Sequence, residues 1–427
     1  MKELDHVRSA SRQIFRFTSR VLSIGLLSFG VASCDFEVRN ISSVNEATLE
    51  DVSVVPLLLA SAQAALQEGW AAQTHTVGLA ADEFYWGATC TPIELIDVGI
   101  WDVTNIGRGG ALNERWETTA KDQWITNNIH TRIAELEGAG SANLAWTGLW
   151  RGMMRIIQAD MWAEITYDGG PAITPLAAYT GTLPILDLAQ VDGSGNSEVQ
   201  SYILGAKARL KHTIWIETGS TDAAMLAAAA TDADAALALD ADFNMQISYG
   251  TANNNPLFGS DGYSPSDQIR RHLDPVTGAS DPRVPFGQFI EIGTLFVTDS
   301  IFQQEKYLTR TGNISIVRWE EMNLIVAESL LEGGDLAGAV ARLNLNRADA
   351  GLPGLPAAAD AAELRGWLIT ERFVEFWSEG GRRLMDMRRF DLPHPRWRQE
   401  AFDDPRGGTQ RRFPLPLSET NPNTNFN

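Results

Sequence analysis

The chain has 427 residues, 44% of them hydrophobic, and a formal net charge of −20. That length holds more than one minimal core and fits two or three sub-regions. The negative balance excludes nucleic acid as a partner, since phosphate is repelled by it, and suits solubility in an extracytoplasmic space. Thirteen tryptophans are enough to furnish a sugar-binding surface as well as a core.

Residues 1–33 read as a lipoprotein signal peptide. Arg8, Arg12, Arg16 and Arg20 form a basic region, and Val21 to Ala32 is an apolar run of about twelve residues, the size of a signal core and too short to span a bilayer. Val31-Ala32-Ser33-Cys34 places small residues just before a cysteine, the pattern of a bacterial lipoprotein cleavage site. Cys34 is thus expected to carry lipid and become the first residue of the mature chain, anchored to a membrane. Cleavage removes five basic residues (Lys2, Arg8, Arg12, Arg16, Arg20) and two acidic ones (Glu3, Asp5), which takes the net charge to −23. Of the two cysteines, Cys90 then remains as the only unlipidated thiol, which leaves no structural disulfide and no thiolate metal site. Residues 34–45 read as a tether and 46–427 as the domain.

Thr48 to about Gln67 has a helical pattern of leucines and alanines. Asp82 to Asn105 is irregular and aromatic. Leu112 to about Glu137 and Ala142 to about Thr166 form a helical pair, which Tyr167-Asp168-Gly169-Gly170-Pro171 ends sharply. A loop rich in Gly, Pro and Asp is expected from there to about Asn196. Glu198 to Ile216 is helical, Gly219 turns, and Thr221 to Leu239 is an alanine-rich helix, in which Ala223, Ala224, Ala227 and Ala228 let a partner approach closely. From Asp240 to Ser315 the helical pattern lapses into turn chemistry, with Gln288 to Val297 a candidate strand.

Arg318 to Glu332 spaces Trp319, Met322, Val326 and Leu330 along one helix face. Gly333-Gly334 stops it, and Asp335 caps a second helix that buries Leu336, Val340 and Leu343. Gly351 and Pro353 end that one, and Asp360 with Glu363 makes a capping box for a third. Laid over the earlier pair at an offset of 115, this hairpin brings Gly334 onto Gly219, Ile325 onto Leu210, Leu330 onto Trp215 and Val340 onto Met225. A helical hairpin cannot bury its apolar face alone and needs neighbours like itself. The expected fold is mainly all-α: tetratricopeptide-like hairpins (about 113–166, 198–239 and 318–351) in a superhelical scaffold, with a loop-rich ligand-facing region (about 82–110 and 240–316) and minor β. The tail after Asp391 is expected to wrap the surface.

Glu371, Glu375 and Glu379 lie at i, i+4 and i+8 and form one stripe. Buried carboxylates need paired cations. Arg382, Arg383, Arg388 and Arg389 follow and offer them, with Asp386 among them, so the stripe reads as an ion-pair network locking the third helix to the tail. A glycosidase pair is the competing reading, but its carboxyls must flank a scissile bond, which neighbours on one helix face do not. The six histidines, His6, His75, His130, His212, His272 and His394, include no i+3 or i+4 pair. No nucleophile elbow, phosphate loop or dinucleotide fingerprint is present, and neither cofactor nor metal is expected. Phe84-Tyr85-Trp86 with Trp101 is the candidate ligand platform, since sugar C–H faces pack on aromatic rings. Asp82, Glu83, Asn105 and Arg108 are candidate polar partners, and Asn253, Asn254, Tyr263 and Arg270 supply a second wall.

Together these pieces resemble the SusD/RagB family of outer-membrane nutrient-binding lipoproteins. Arg318-Trp319-Glu320-Glu321-Met322-Asn323-Leu324 with Ala327-Glu328 looks like the family's helix opening, and Asn344 to Pro353 like its next helix. Glu371-Arg372, Glu375, Glu379-Gly380, Arg382 or Arg383, Asp386 and Arg388-Arg389 look like its Glu-Arg…Glu-Gly-Arg…Asp-Arg-Arg signature. Pro414-Leu415-Pro416, Glu419 and Asn421-Pro422 are similar to its closing motif, and Asp281-Pro282-Arg283-Val284 to its Asp-Pro-Arg segment. Tyr167 to Pro171 resembles its Gly-Asp-x-Pro turn in altered order. The resemblance implies eight helices in four tetratricopeptide-like pairs and a non-catalytic surface receptor. It also implies a nutrient, most often an oligosaccharide, handed to a SusC-like TonB-dependent barrel on which such proteins sit as lids. An α-helical glycoside hydrolase and a protein-binding scaffold lipoprotein are the alternatives.

Overall fold

The computed structural model describes residues 49–87, 91–101, 106–251, 254–259, 262–290, 301–396 and 412–426. The signal peptide, Cys34, the tether, Cys90, Asn105 and Asn253 lie outside the described residues. Val52–Asn427 forms one unit, separate from Met1–Asp51, and every element below belongs to it.

Helix α1 (Val55–Ala80) begins with Pro56 in its first turn and runs thirteen residues past the sequence expectation. Its second half is buried almost continuously. Strand β1 (Phe84–Trp86) and helix α2 (Thr91–Asp97) follow, where only irregular chain was expected. Then come α3 (Ala111–Glu137) and α4 (Ala142–Met161), the latter capped by Ser141, whose Oγ accepts from Asn143 N. The stretch read as a loop contains α5 (Pro175–Asp192). Thr174 caps it, Pro175 occupies the first turn, and the interior Pro184 is tolerated because Tyr179, Thr182 and Leu186 are buried.

Helices α6 (Ser197–Glu217) and α7 (Ala223–Leu239) form the next hairpin. The alanines that pack inward on α7 are Ala229, Ala233 and Ala236, beside Leu226; Ala223, Ala224 and Ala227 face solvent. After β2 (Asn244–Ile247), β3 (Tyr263–Pro265), the short α8 (Asp267–Arg270), β4 (Phe286–Ile290), β5 (Ile301–Gln304) and β6 (Ile314–Arg318), the helices resume. These are α9 (Trp319–Glu332), α10 (Leu336–Asp349), α11 (Ala361–Phe376), α12 (Arg382–Arg389) and the single turn α13 (Leu417–Thr420). The strands pair as three two-stranded antiparallel ribbons, β1 with β3, β2 with β6 and β4 with β5. No helix among the described residues is long and apolar enough to cross a membrane.

Helix packs on helix along the chain: α1 on α3, α3 on α4, α4 on α5, α5 on α6, α6 on α7, α7 on α9, and α9 on both α10 and α11. The 115-residue offset has a physical basis. Gly219 and Gly334 both take positive φ, 77° and 84°. At the first turn, Ser220 N bonds Trp215 O and Gly219 N bonds Ile216 O; at the second, Asp335 N bonds Leu330 O and Gly334 N bonds Leu331 O. Both are Schellman caps, and one of the apolar pairs brought into register by the offset, Trp215 and Leu330, supplies the accepting carbonyl in each. At Asp360 the cap also forms as expected: its Oδ1 accepts from Ala362 N and Glu363 N, while Glu363 Oε2 accepts from Ala359 N.

The Glu379-Gly380-Gly381 signature has a backbone cause. Gly380 and Gly381 take φ of 86° and 74°, and a Cβ on them would run into Trp70 and Val77 of α1. This allows α12 to start directly against α1. Gly334 takes a similar φ with open space around it. Gly334→Ala should therefore cost only the left-handed backbone penalty, about 1 kcal/mol. Gly381→Ala should cost at least about 1–2 kcal/mol more through overpacking, read as the difference between their urea midpoints.

Candidate functional site

The β1–β3 ribbon joins residues about 180 positions apart. Its register sets Phe84 opposite Pro265, Tyr85 opposite Ser264 and Trp86 opposite Tyr263. Ribbon geometry thus brings Phe84, Tyr85, Trp86 and Tyr263 into one cluster. The Tyr263 ring lies edge-on to Phe84 (6.2 Å) and Trp86 (5.2 Å) and stacks on His75 of α1 at 4.3 Å. Arg270 sits 4.2 Å over Phe302 and 5.7 Å from Tyr85, paired with Asp267. Trp101 is placed differently, edge-on to Phe413 at 4.8 Å. These rings are packed: Trp86 and Tyr263 are each 8% exposed, Tyr85 7%, Trp101 4% and Phe84 1%. They form a supporting layer, with little ring face left for a ligand.

What the layer supports is the turn after Asn253. His75 adjoins the backbone of Pro256, and its stack on Tyr263 links that turn to the ribbon. Asn255 adds two bonds, from its N to Arg310 O (2.7 Å) and from its Nδ2 to Gly312 O (2.7 Å). Asn254 is exposed at the rim of a cleft of about 540 Å³ between this turn, α1 and α3. Gln67, Glu68 and Asp122 line the same cleft, and the small Ala64 and Ala71 leave it open.

Of the polar candidates beside the ribbon, Asp82 is engaged in holding it. Arg383 donates to both carboxyl oxygens of Asp82, at 2.7 and 2.9 Å. Asp97 of α2 accepts from Trp86 N at 2.8 Å. Glu83 is fully buried, and neither of its carboxyl oxygens has a hydrogen-bond partner. Burial, reinforced by neighbouring Asp82, pushes Glu83 up to about 8. Burial likewise raises Asp97 and Asp122 to about 7, and drops His75 to about 3. Arg108 is exposed.

Of the acidic stripe, α11 carries only Glu371 and Glu375, because the helix ends at Phe376 and Glu379 falls in the turn after it; all three are buried and paired, but the cations differ from those expected. Glu371 meets Arg283 (2.6 Å) and Arg347 (2.7 Å). Glu375 meets Arg283 (2.8 Å) and Arg318 (2.9 Å), and Glu379 meets Arg318 (2.8 Å) and Lys306 (2.7 Å). The arginines after the stripe turn elsewhere: Arg382 to Asp160 (3.4 Å), Arg383 to Asp82, Arg388 to Glu217 (3.4 Å) and Arg389 to Glu328 (2.9 Å). Asp386 binds Arg372 (2.8 Å) and Arg389 (3.1 Å); burial alone would raise it, and these two guanidinium groups hold it below the usual range. Sequence reading missed Arg347, which also holds Asp274 at 2.6 Å. It met Arg283 only as part of the Asp-Pro-Arg segment. Among the described residues no group of three or more His, Cys, Asp or Glu is placed to hold a metal ion.

Comparison with known proteins follows the same outline. The family model for the SusD family matches residues 295–425, the part that carries the Glu-Arg…Glu-Gly-Arg signature. The fold is similar to that of a SusD homolog from Bacteroides thetaiotaomicron, with a TM-score of 0.68 at 12% identity over 87% of this chain and 97% of that one. It is also similar to surface glycan-binding protein A from Bacteroides fluxus (0.62, 16%, 87% and 97%). A SusD-like carbohydrate binding protein from Bacteroides fragilis matches as well (0.60, 16%, 89% and 99%). Among curated proteins none matches the chain. The SusD/RagB resemblance drawn from the motifs therefore holds, and with it the mainly helical, tetratricopeptide-like fold.

Arg347 is 0% exposed and bridges two carboxylates. Arg347→Met should lower stability by about 3–5 kcal/mol, because it strands buried charge. The exposed Arg365–Glu332 pair is the contrast: Arg365→Met should cost under about 1 kcal/mol in the same denaturant titration. Glu83 gives a pH signature. Its unfolded carboxyl ionises near 4.5, while the folded one keeps its proton up to about 8. The folded state thus binds the extra proton, and this residue's contribution falls as pH rises through that window. Glu83→Gln should match the parent in thermal melts near pH 4 and exceed it increasingly toward pH 8.

Proposed function

We propose that this SusD-type chain is a surface nutrient-binding lipoprotein that captures an oligosaccharide and hands it, unmodified, to a SusC-like TonB-dependent barrel. One observation carries the reading. The family match over residues 295–425 coincides with a whole-length fold similar to those of a carbohydrate-binding and a surface glycan-binding protein. The chemistry of the acidic stripe supports a non-catalytic role. A general acid or base needs a carboxyl within reach of substrate, whereas Glu371, Glu375 and Glu379 are buried, each between two cations. Cys34 is the anchor in this reading, leaving the acidic tether to hold the domain off the lipid surface.

The ligand-facing side is the one built from the ribbons. Phe84, Tyr85, Trp86 and Tyr263 underlie it, and Asn254, exposed at the cleft rim, is its proposed polar contact with cargo. Because Trp86, Trp101 and Arg270 are packed, replacing them removes support as well as any contact, so Asn254→Ala is the cleaner probe. In affinity electrophoresis through gels cast with neutral polysaccharides, the mature protein should be retarded by at least one, and Asn254→Ala less so. Reducing ends should not accumulate on prolonged incubation, and a TonB-dependent barrel should co-purify from detergent-solubilised outer membranes. Retardation by no polysaccharide, or release of reducing ends, would overturn the reading.

A further inference from the structure

A second cleft, of about 470 Å³, opens on the other side of α1 and shares Ala64 and Gln67 with the cleft at Asn254. Its aromatic wall comes from two helices. Trp146 and Trp150, one turn apart on α4, have ring centroids 5.9 Å apart, and Tyr202 of α6 stands edge-on to Trp146 at 5.9 Å. Phe243, buried at 2%, backs Tyr202 at 6.1 Å and fixes its tilt. Trp146 and Tyr202 are only half-buried, because the helix face across from them carries Ala60 and Ala64 instead of large side chains.

The opposite wall is built of amides. Gln246 is the exposed residue of β2, between buried Met245 and Ile247. Asn313 Nδ2 donates to Gln246 Oε1 at 3.1 Å, which leaves the Gln246 amide nitrogen as a donor and the Asn313 oxygen as an acceptor. Gln67 Nε2 donates to Ser248 O at 2.8 Å, and its carbonyl oxygen remains as an acceptor. In a chain of net charge −20, Glu198 is the only charged residue lining this cleft among the described residues.

Aromatic faces opposite a pre-ordered row of neutral donors and acceptors match a molecule with C–H faces and many hydroxyls. From this geometry we propose that the Trp146–Tyr202 cleft is an uncharged-oligosaccharide subsite, continuous over Ala64 and Gln67 with the cleft at Asn254. One chain of several sugars occupies both. The proposal rests on the glycan-receptor reading above and adds where, and in what charge state, the sugar lies. Longer ligands then bind more tightly than monosaccharides, and uronic-acid oligomers bind less well than neutral ones.

The test is calorimetric titration of the mature protein with neutral gluco-, xylo- and manno-hexasaccharides, the matching monosaccharides and an oligogalacturonide. With any hexasaccharide that binds, Trp146→Ala should weaken binding at least about tenfold, and Gln246→Ala and Asn313→Ala about three- to tenfold each. Trp124→Ala, an exposed tryptophan of α3 outside both clefts, should change nothing. Gln246 and Asn313 are exposed, so their variants test the site even if Trp146→Ala fails to fold. Binding that falls with Asn254→Ala but not with Gln246→Ala or Asn313→Ala would overturn this subsite and leave the receptor reading intact. Preference for the oligogalacturonide would overturn the neutral-ligand assignment. No binding of any sugar, or binding of uncharged peptides instead, would overturn both.

Discussion

The rest of the structure depends on neutralising three buried carboxylates, Glu371 and Glu375 on α11 and Glu379 in the turn just after it. In water, like charges at i and i+4 cost a few tenths of a kcal/mol per pair; inside a protein each unpaired charge costs several kcal/mol. The compensating cations are not local. Arg283 comes from the segment before β4, Lys306 from the one after β5, Arg318 from the end of β6, and Arg347 from α10. Four remote parts of the chain must converge on α11 before its charge is balanced. The network is therefore less a source of net stability than a device that fixes one arrangement of the irregular region on the helical array.

This explains how a region with few regular elements presents ordered clefts. The three ribbons are two-stranded, a form that is marginal on its own. Side-chain contacts tie them to the helices and the turns beside them. Arg383 of α12 grips Asp82 ahead of β1, Asp97 of α2 holds Trp86, and Lys306 bonds Trp377 O beyond α11 at 2.9 Å. Order imposed from outside costs the ligand nothing on binding, which suits a receptor with a shallow site.

The helical half was legible in the sequence because its signals are local. Gly219, Gly334, Asp335 and Asp360 act within one turn of where they stand, so caps and hairpins could be read from spacing alone. Helix α5 was not legible, since two prolines in eighteen residues argue against a helix unless its buried face against α4 and α6 is known. The ion-pair network was half legible. The spacing of Glu371, Glu375 and Glu379 announces a stripe, but the identity of its partners depends on chain segments 24 to 92 residues away, about which periodicity says nothing.

The candidate site shows the same division between local and long-range information. Phe84-Tyr85-Trp86 looks like a platform in sequence because three aromatics in a row exceed what one face of a strand needs. In the fold both faces are covered, by Tyr263 and His75 and by Phe302 and Arg270, and the run becomes packing. Trp146 and Trp150 stand one turn apart on α4. Their exposure is decided by a different helix, whose alanines leave the space in front of them unfilled. Whether an aromatic ring stacks on a neighbour or waits for a ligand is settled by the size of the residue opposite, and that residue is fixed only by tertiary packing.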